Sequence, residues 1–282
     1  MSSIETTPGE TLDAPYPLTR EQIRRFEADG YIRLAHVLDA ATLARHGAEI
    51  TRLTLEANPH KDKPLEQRDT YHRAFIQVSQ LWRRSELARE FSFCRRLARI
   101  AAELLGVAGV RMYHDQALYK EPGGGFTPWH VDQQYWPLAS DRCVTAWIPL
   151  QATPREMGPL CFGRGSHRHE VGRDLKIGED SERIIAQRIH ELGIEEVFEP
   201  FELGDVSFHL GWTLHRAGPN TTAEPRKVHT VIYMDAAMRL EPDMTETQKV
   251  DWQAFSPSTQ PGELMDDALN PVLYEAGGAA NA

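Results

Sequence analysis

The sequence predicts an α+β domain, a double-sheet β-sandwich or jelly roll with helices against one side. Helical periodicity is concentrated in residues 19–106, with one further helical segment at Glu182–Leu192. From residue 110 onward, short runs rich in β-branched and aromatic residues are separated by Gly, Pro, Asn or Asp. Helices first and many strands afterwards is the order of an α+β fold. The chain has 282 residues, 41% hydrophobic and 26% charged, which suffices for a sizeable buried core.

Residues 1–18 hold three prolines and few apolar side chains, and are expected to form a flexible leader. Thr19-Arg20-Glu21-Gln22 has the form of a capping box, Ile23 and Phe26 follow at helical spacing, and Gly30 is placed to end that helix. Tyr31–Val37 reads as a strand. Asp39 is an N-cap for a second helix running to about Leu55. Residues 57–70 are polar and read as a loop, and Ser85–Leu105 reads as one helix stopped by Gly106. The predicted strands are Val110–Lys120, Cys143–Leu150, Gly158–Phe162, Val197–Leu203, Val206–Leu210 and Lys227–Asp235. The stretch 237–282 is acidic and contains proline; tail, lid and dimer contact all fit it.

Charge and cysteine usage narrow the function. Thirty-one Lys and Arg against 41 Asp and Glu give a net charge of −10. That balance repels phosphate and argues against nucleic acid as a partner. No apolar run approaches the roughly 20 residues that span a bilayer. The acidic N-terminus lacks an apolar signal core. Cys94, Cys143 and Cys161 are odd in number and have no CxxC spacing, which suits a reducing cytoplasm rather than a disulfide or zinc-thiolate framework.

Three segments carry candidate chemistry: Thr127-Pro128-Trp129-His130-Val131-Asp132, Thr213-Leu214-His215, and Arg226. In a strand, His130 and Asp132 leave the same face. Two His and a carboxylate from different strands make the facial triad of a non-haem Fe(II) oxygenase, with open positions for a chelating cosubstrate and O₂. The His-x-Asp spacing is weak by itself, since His60-Lys61-Asp62 repeats it in a polar loop. Arg226 adds weight. Period-2 alternation sets it on one face with Val228, Thr230, Ile232 and Met234, where a guanidinium needs an anion. A dicarboxylate cosubstrate would supply that anion; so would a protein carboxylate at the strand mouth. His167 and His169 follow a glycine-containing loop and are not read as a second metal site. Gly123-Gly124-Gly125 lacks a following Lys-Ser/Thr and reads as a mobile strand connection.

At these residues the sequence resembles the phytanoyl-CoA dioxygenase family of Fe(II)/2-oxoglutarate-dependent oxygenases. The resemblance covers about residues 19–236. It runs through FEADGYIRLAHVLD, HDQALYKEPGGGFTPWHVDQQYW, AWIPLQ, GPLCFGRGSH and GDVSFHLGWTLHRAGPNTTAEPRK. It implies a double-stranded β-helix of jelly-roll or cupin-like form with the N-terminal helices packed on one sheet. A single oxygenase domain would then span 19–282, with a helical part to about 106, a β-helix core from about 110 to 236 and a C-terminal extension. The resemblance further implies Fe(II) bound by His130, Asp132 and His215, and the distal carboxylate of 2-oxoglutarate held by Arg226. Trp147 matches a family tryptophan beside the cosubstrate, and Thr145, two residues away, faces the same side. Gln116 and Gln77 fall where relatives place other cosubstrate contacts. Members often carry Ser or Thr two residues after the distal His; here that position is Ala217, so Arg226 needs a helper from elsewhere.

The implied reaction consumes O₂ and 2-oxoglutarate, releases succinate and CO₂, and hydroxylates a C–H bond of a small molecule. Asp132 stands where halogenating relatives have a small residue. Desaturation, cyclisation and epimerisation remain open outcomes, as does a catalytically silent metabolite binder. A cupin-type zinc hydrolase would use the same three ligands but give Arg226 no purpose. Tyr135 and Trp136 are candidate substrate contacts. Segments 57–80 and 168–196 are candidate lids. A monomer or a homodimer is expected.

Overall fold

A computed structural model describes residues 10–277. The chain opens with α1 (Glu10–Asp13), α2 (Arg20–Asp29), β1 (Tyr31–Leu34) and α3 (Ala40–Glu56). Thr19 and Gln22 form the expected capping box. Gly30 ends α2 at φ 80°, a left-handed conformation that glycine adopts without strain. The Asp39 side chain accepts from the Thr42 backbone N–H and caps α3. Residues 10–18 depart from the expected flexible leader. Leu12 is buried in the core, the Ala14 carbonyl accepts from Arg96 Nε at 2.6 Å, and Tyr16 Oη donates to the Ala35 carbonyl. Residues 1–9 of that leader lie outside the described residues.

Next come α4 (Thr70–Ala74), β2 (Ile76–Ser79), α5 (Glu86–Ser92) and α6 (Arg95–Leu105). The single helix expected over Ser85–Leu105 is therefore two. Tertiary contacts favour the break: Ser92 turns inward to donate to Asp115 Oδ2 at 2.8 Å, and Cys94, whose backbone is non-helical at ψ 108°, reaches the Leu12 carbonyl. The remaining elements are β3 (Gly109–Tyr119), β4 (Thr127–His130), β5 (Cys143–Pro149), β6 (Leu160–Gly163), α7 (Glu179–Leu192), β7 (Glu196–Phe198), β8 (Val206–Leu210), β9 (His215–Ala217), β10 (Val228–Asp235), α8 (Glu246–Phe255) and β11 (Val272–Glu275).

The strands form two antiparallel sheets. The larger has the order β1-β8-β5-β10-β3-β11, with β2 also paired to β3; the smaller has the order β4-β9-β6-β7. This is a jelly roll of the α+β class: the N-terminal helices pack on the larger sheet as expected, but α7 also covers the smaller one, where Ile185 and Ile189 join Trp129 and Cys161. On β5, Val144, Ala146 and Ile148 point to the helical layer, where they join Ile50 of α3 and Leu97 of α6 in the main core. Thr145 and Trp147 alternate to the inner face. A second cluster, including Trp147, Leu160, Phe162 and Val228, fills one end of the space between the sheets.

A β-bulge re-aims β3. Ile232 of β10 faces His114, but the next residue, Tyr233, faces Met112, so Tyr113 is left as the extra residue. Beyond the bulge Ala117 and Tyr119 pack into the helical core, and His114, Gln116 and Leu118 turn to the inner cavity. The C-terminal stretch is structural wall. β11 pairs with β3, and Trp252 and Phe255 of α8 pack against a cluster built on Tyr113, Trp136 and Met234. The Gly123–Gly125 connection is tied down: Gly123 N donates to Asn220, Asn220 N to Gly124, and Gly125 N to Arg73.

Candidate active site

His130 ends β4 and His215 opens β9, and the two are direct cross-strand partners. Their imidazole rings lie 4.1 Å apart between centroids. The Nδ1 of His130 is 2.8 Å from the Pro128 carbonyl oxygen, and the Nδ1 of His215 is 3.0 Å from that of Thr213. A carbonyl only accepts, so each Nδ1 carries the proton and each Nε2 keeps a free lone pair. Asp132 was expected within the strand; it lies just beyond the end of β4, in a turn closed by Tyr135 N donating to the Asp132 carbonyl at 3.1 Å. From there its Oδ1 is 3.6 Å from both Nε2 atoms. Its other oxygen, Oδ2, is 3.3 Å from His209 Nε2 and 3.4 Å from the hydroxyl of Thr145.

Electrostatics set these groups in ligand form. Burial opposes the Asp132 charge, but His215, His130 and His209 outweigh it and hold the carboxyl well below its ordinary range. Burial, reinforced by His130, holds His215 well below the ordinary histidine value and so neutral. Two neutral imidazole nitrogens and a carboxylate oxygen converge here, the donor set of a facial triad. Among the described residues this is the one His/Cys/Asp/Glu group with metal-holding geometry. Neither His60/Asp62 nor His167/His169 forms another.

Arg226 lies just before β10, bridged to Lys120 at the end of β3. It is 2% exposed, and no carboxylate of the described residues pairs with it. One guanidinium nitrogen donates to the Gly158 carbonyl, Nε has no partner, and the group lies 5.4 Å from the Trp147 ring centroid. Burial pulls its pKa down to about 9. Lys120 is also fully buried; its Nζ donates to Gly125 and, at 3.4 Å, to the Thr127 hydroxyl. Burial and the adjacent Arg226 charge push the Lys120 pKa well below its ordinary value, and a buried guanidinium without a counter-ion calls for an anion. Gly158 itself is held to glycine by the neighbouring chain, because at φ 72° an added Cβ would sit 2.3 Å from the Gly218 carbonyl oxygen. Thr127 stands directly across the strands from Ala217 and lines the same cavity.

All of the residues singled out from the sequence line one cavity of about 520 Å³: His130, Asp132, His215, Arg226, Trp147, Thr145, Gln116, Gln77, Tyr135 and Trp136. Gln77 Nε2 donates to Gln116 Oε1 at 2.6 Å, and Tyr71 Oη donates to Gln77 Oε1 at 2.6 Å. Tyr135 Oη accepts from Ile177 N, joining the loop before α7 to the turn after the metal motif. Sequence reasoning missed Thr127, His209, Tyr71, Asp251 and Phe255, which line the same cavity. Alternation in β8 carries the signal for His209, since Phe208 faces the helical core. Asp251 and Phe255 sit in the C-terminal stretch, where no motif marked them.

The family model for phytanoyl-CoA dioxygenase matches residues 26–228. The chain belongs to the phytanoyl-CoA dioxygenase family. Relatives of this family member include an ectoine dioxygenase of Stutzerimonas stutzeri, 26% identical over 77% of either chain. Among solved structures, it resembles the non-haem α-ketoglutarate-dependent carbocyclase SnoK from nogalamycin biosynthesis, with a TM-score of 0.75 and 26% identity over 92% of this chain and 99% of that one. The epimerase SnoN, solved with Fe³⁺, α-ketoglutarate and nogalamycin RO, gives a TM-score of 0.72 and 26% identity over 90% and 98%. This phytanoyl-CoA dioxygenase family protein is thus an enzyme of the iron- and 2-oxoglutarate-dependent oxygenase class, and its triad and buried arginine fit that cofactor pair.

Proposed function

We propose that the enzyme oxidises a C–H bond of a small-molecule substrate in the cytoplasm. His130, Asp132 and His215 would hold the iron, which would supply dioxygen activation coupled to the conversion of 2-oxoglutarate to succinate and CO₂. Arg226, with Thr127 and Lys120 behind it, binds the distal carboxylate of 2-oxoglutarate. Trp147, Thr145, Gln116 and Gln77 bound the cosubstrate, and Tyr135 and Trp136 contact the substrate. The Nδ1 bonds to Pro128 and Thr213 keep both imidazoles oriented, and His209 and Thr145 keep one Asp132 oxygen turned toward them. The observation that carries the reading is a buried arginine without a counter-ion across one cavity from a converging His/Asp/His set. A zinc hydrolase leaves that arginine without a purpose. The three described cysteines are free and buried, which supports a reducing compartment. Among the described residues no helix is long and apolar enough to cross a membrane.

Anaerobic titration with Fe(II) and 2-oxoglutarate tests this. The wild type should develop a saturable visible metal-to-ligand charge-transfer band, and Arg226→Ala should need at least about tenfold more 2-oxoglutarate. A folded, iron-loaded protein without the band would end the reading. Carbocyclisation and epimerisation, named for SnoK and SnoN, favour keeping the outcome of the C–H step open. Product mass separates a gained oxygen atom from an unchanged formula or the loss of two hydrogens.

A further inference from the structure

The cavity has a further acidic group in its wall, supplied by a segment beyond the family match. Asp251 projects into it from the middle of α8, and Phe255, one helical turn on, lines the same cavity. Asp251 receives a single hydrogen bond, from Tyr113 Oη to Oδ2 at 3.1 Å. Among the described residues no Lys, Arg or His forms an ion pair with it. The aromatic groups around it are dense. The Tyr113 ring lies 5.7 Å from Phe255 and 5.8 Å from Trp136, and Phe255 stacks on His114 at 4.1 Å.

The other titratable groups facing this wall do not neutralise it. Burial holds His114 down to about 4, so it is uncharged at neutral pH. Tyr71 and Tyr135 also line the cavity, and both phenols are pushed up, first by burial and then in part by the Asp132 and Asp251 charges. Lys176 reaches the cavity from the exposed loop before α7 but makes no ion pair there. Burial pushes Asp251 itself up to about 7. A carboxylate in this state is relieved by a cation, and aromatic faces stabilise the same charge through their quadrupoles.

We propose that Asp251, held by Tyr113 and flanked in the cavity wall by Trp136 and Phe255, forms a subsite for a protonated amine on the substrate. The enzyme's substrate class is then amine-bearing small molecules, whose nitrogen is anchored at α8 and whose reacting C–H is turned toward the His130/Asp132/His215 set. This rests on the oxygenase reading for the other occupants of the cavity. Asp251 is a specificity residue and takes no part in the chemistry.

The test uses two probes of matched shape, phenethylamine and 2-phenylethanol, on the anaerobic enzyme loaded with Fe(II) and 2-oxoglutarate. Binding is followed by ligand-observed NMR with competition. The wild type should bind the amine roughly tenfold or more tightly than the alcohol, as expected for a hydrogen bond to a charged group. In Asp251→Asn the preference should fall to within about twofold. Equal binding of the two probes by the wild type, binding of neither, or a preference that survives Asp251→Asn would overturn the proposal. The wild-type comparison stands even where the variant folds poorly. The charge-transfer band, recorded on the same wild-type sample, reports the cofactor reading separately: a band without amine preference removes the subsite alone, and no band removes the oxygenase reading.

Discussion

At the scale of single residues, the site is a set of buried polar groups whose partners lie outside the polypeptide. The buried Arg226 needs an anion, and Ala217 leaves a hydroxyl missing beside it. Thr127, paired across the strands with Ala217, is the proposed substitute. Thr127→Val should weaken 2-oxoglutarate binding about tenfold in the charge-transfer titration, and adding Ala217→Ser should restore most of it. A double variant no better than the single one would show that Thr127 is not the helper. These residues differ in how readable they were. His130, Asp132, His215 and Arg226 sit in motifs, so their types and spacing pointed to iron and a dicarboxylate. Thr127 sits in the same motif, yet its role depends on β4 lying beside β9, a tertiary fact.

At the scale of elements, β3 and α5 show why local periodicity misleads. The Ser85–Leu105 helix divides because Ser92 enters a buried network with Asp115 and His229. The bulge at Tyr113 shifts the inward parity of β3, which no alternation count would reveal. The strand limits of β8 were readable to the residue, because turn residues bracket a short apolar run. The buried network also has a pH signature. Burial holds His229 down to about 3 in the folded protein, whereas an unfolded histidine takes its proton near 6.5. At this histidine the unfolded state therefore binds more protons as pH falls below about 6.5, which costs stability, while Asp115, pushed up to about 6 by burial, takes up a proton in the folded state and offsets part of the loss. His229→Asn removes that titration. Its melting temperature, measured from pH 7 to 5, should fall less steeply than that of the wild type. Parallel profiles would show that His229 does not carry the effect.

At the scale of the whole molecule, the catalytic core and its wall come from different parts of the chain. β1, β2 and β11 join the larger sheet from outside residues 110–236, so the jelly roll is completed by both termini of the described chain. Met238, Leu240, Met265 and Leu273 are buried, each worth roughly 1.5–3 kcal/mol of burial. A chain ending at Asp235 should be recovered mainly as aggregate, or melt far below the full-length protein. A soluble truncation with an unchanged melting point would make the C-terminal stretch a dispensable cover. The acidic composition of 237–282 concealed this role, because the few apolar residues that matter are spaced irregularly between turns.

The two histidines that face each other across β4 and β9 have one more consequence. Those strands are four and three residues long, among the shortest in the protein. A metal gripping one side chain from each would be a clasp on a short seam of the sandwich, and its binding free energy would become local stability by mass action. Backbone amides of the smaller sheet should therefore exchange with deuterium markedly more slowly once Fe(II) is added anaerobically. Those of the larger sheet, already backed by helices, should barely change. Loading with iron would then be what closes this half of the barrel, so that a chain lacking its metal is marked out by a loosened seam before any chemistry is attempted.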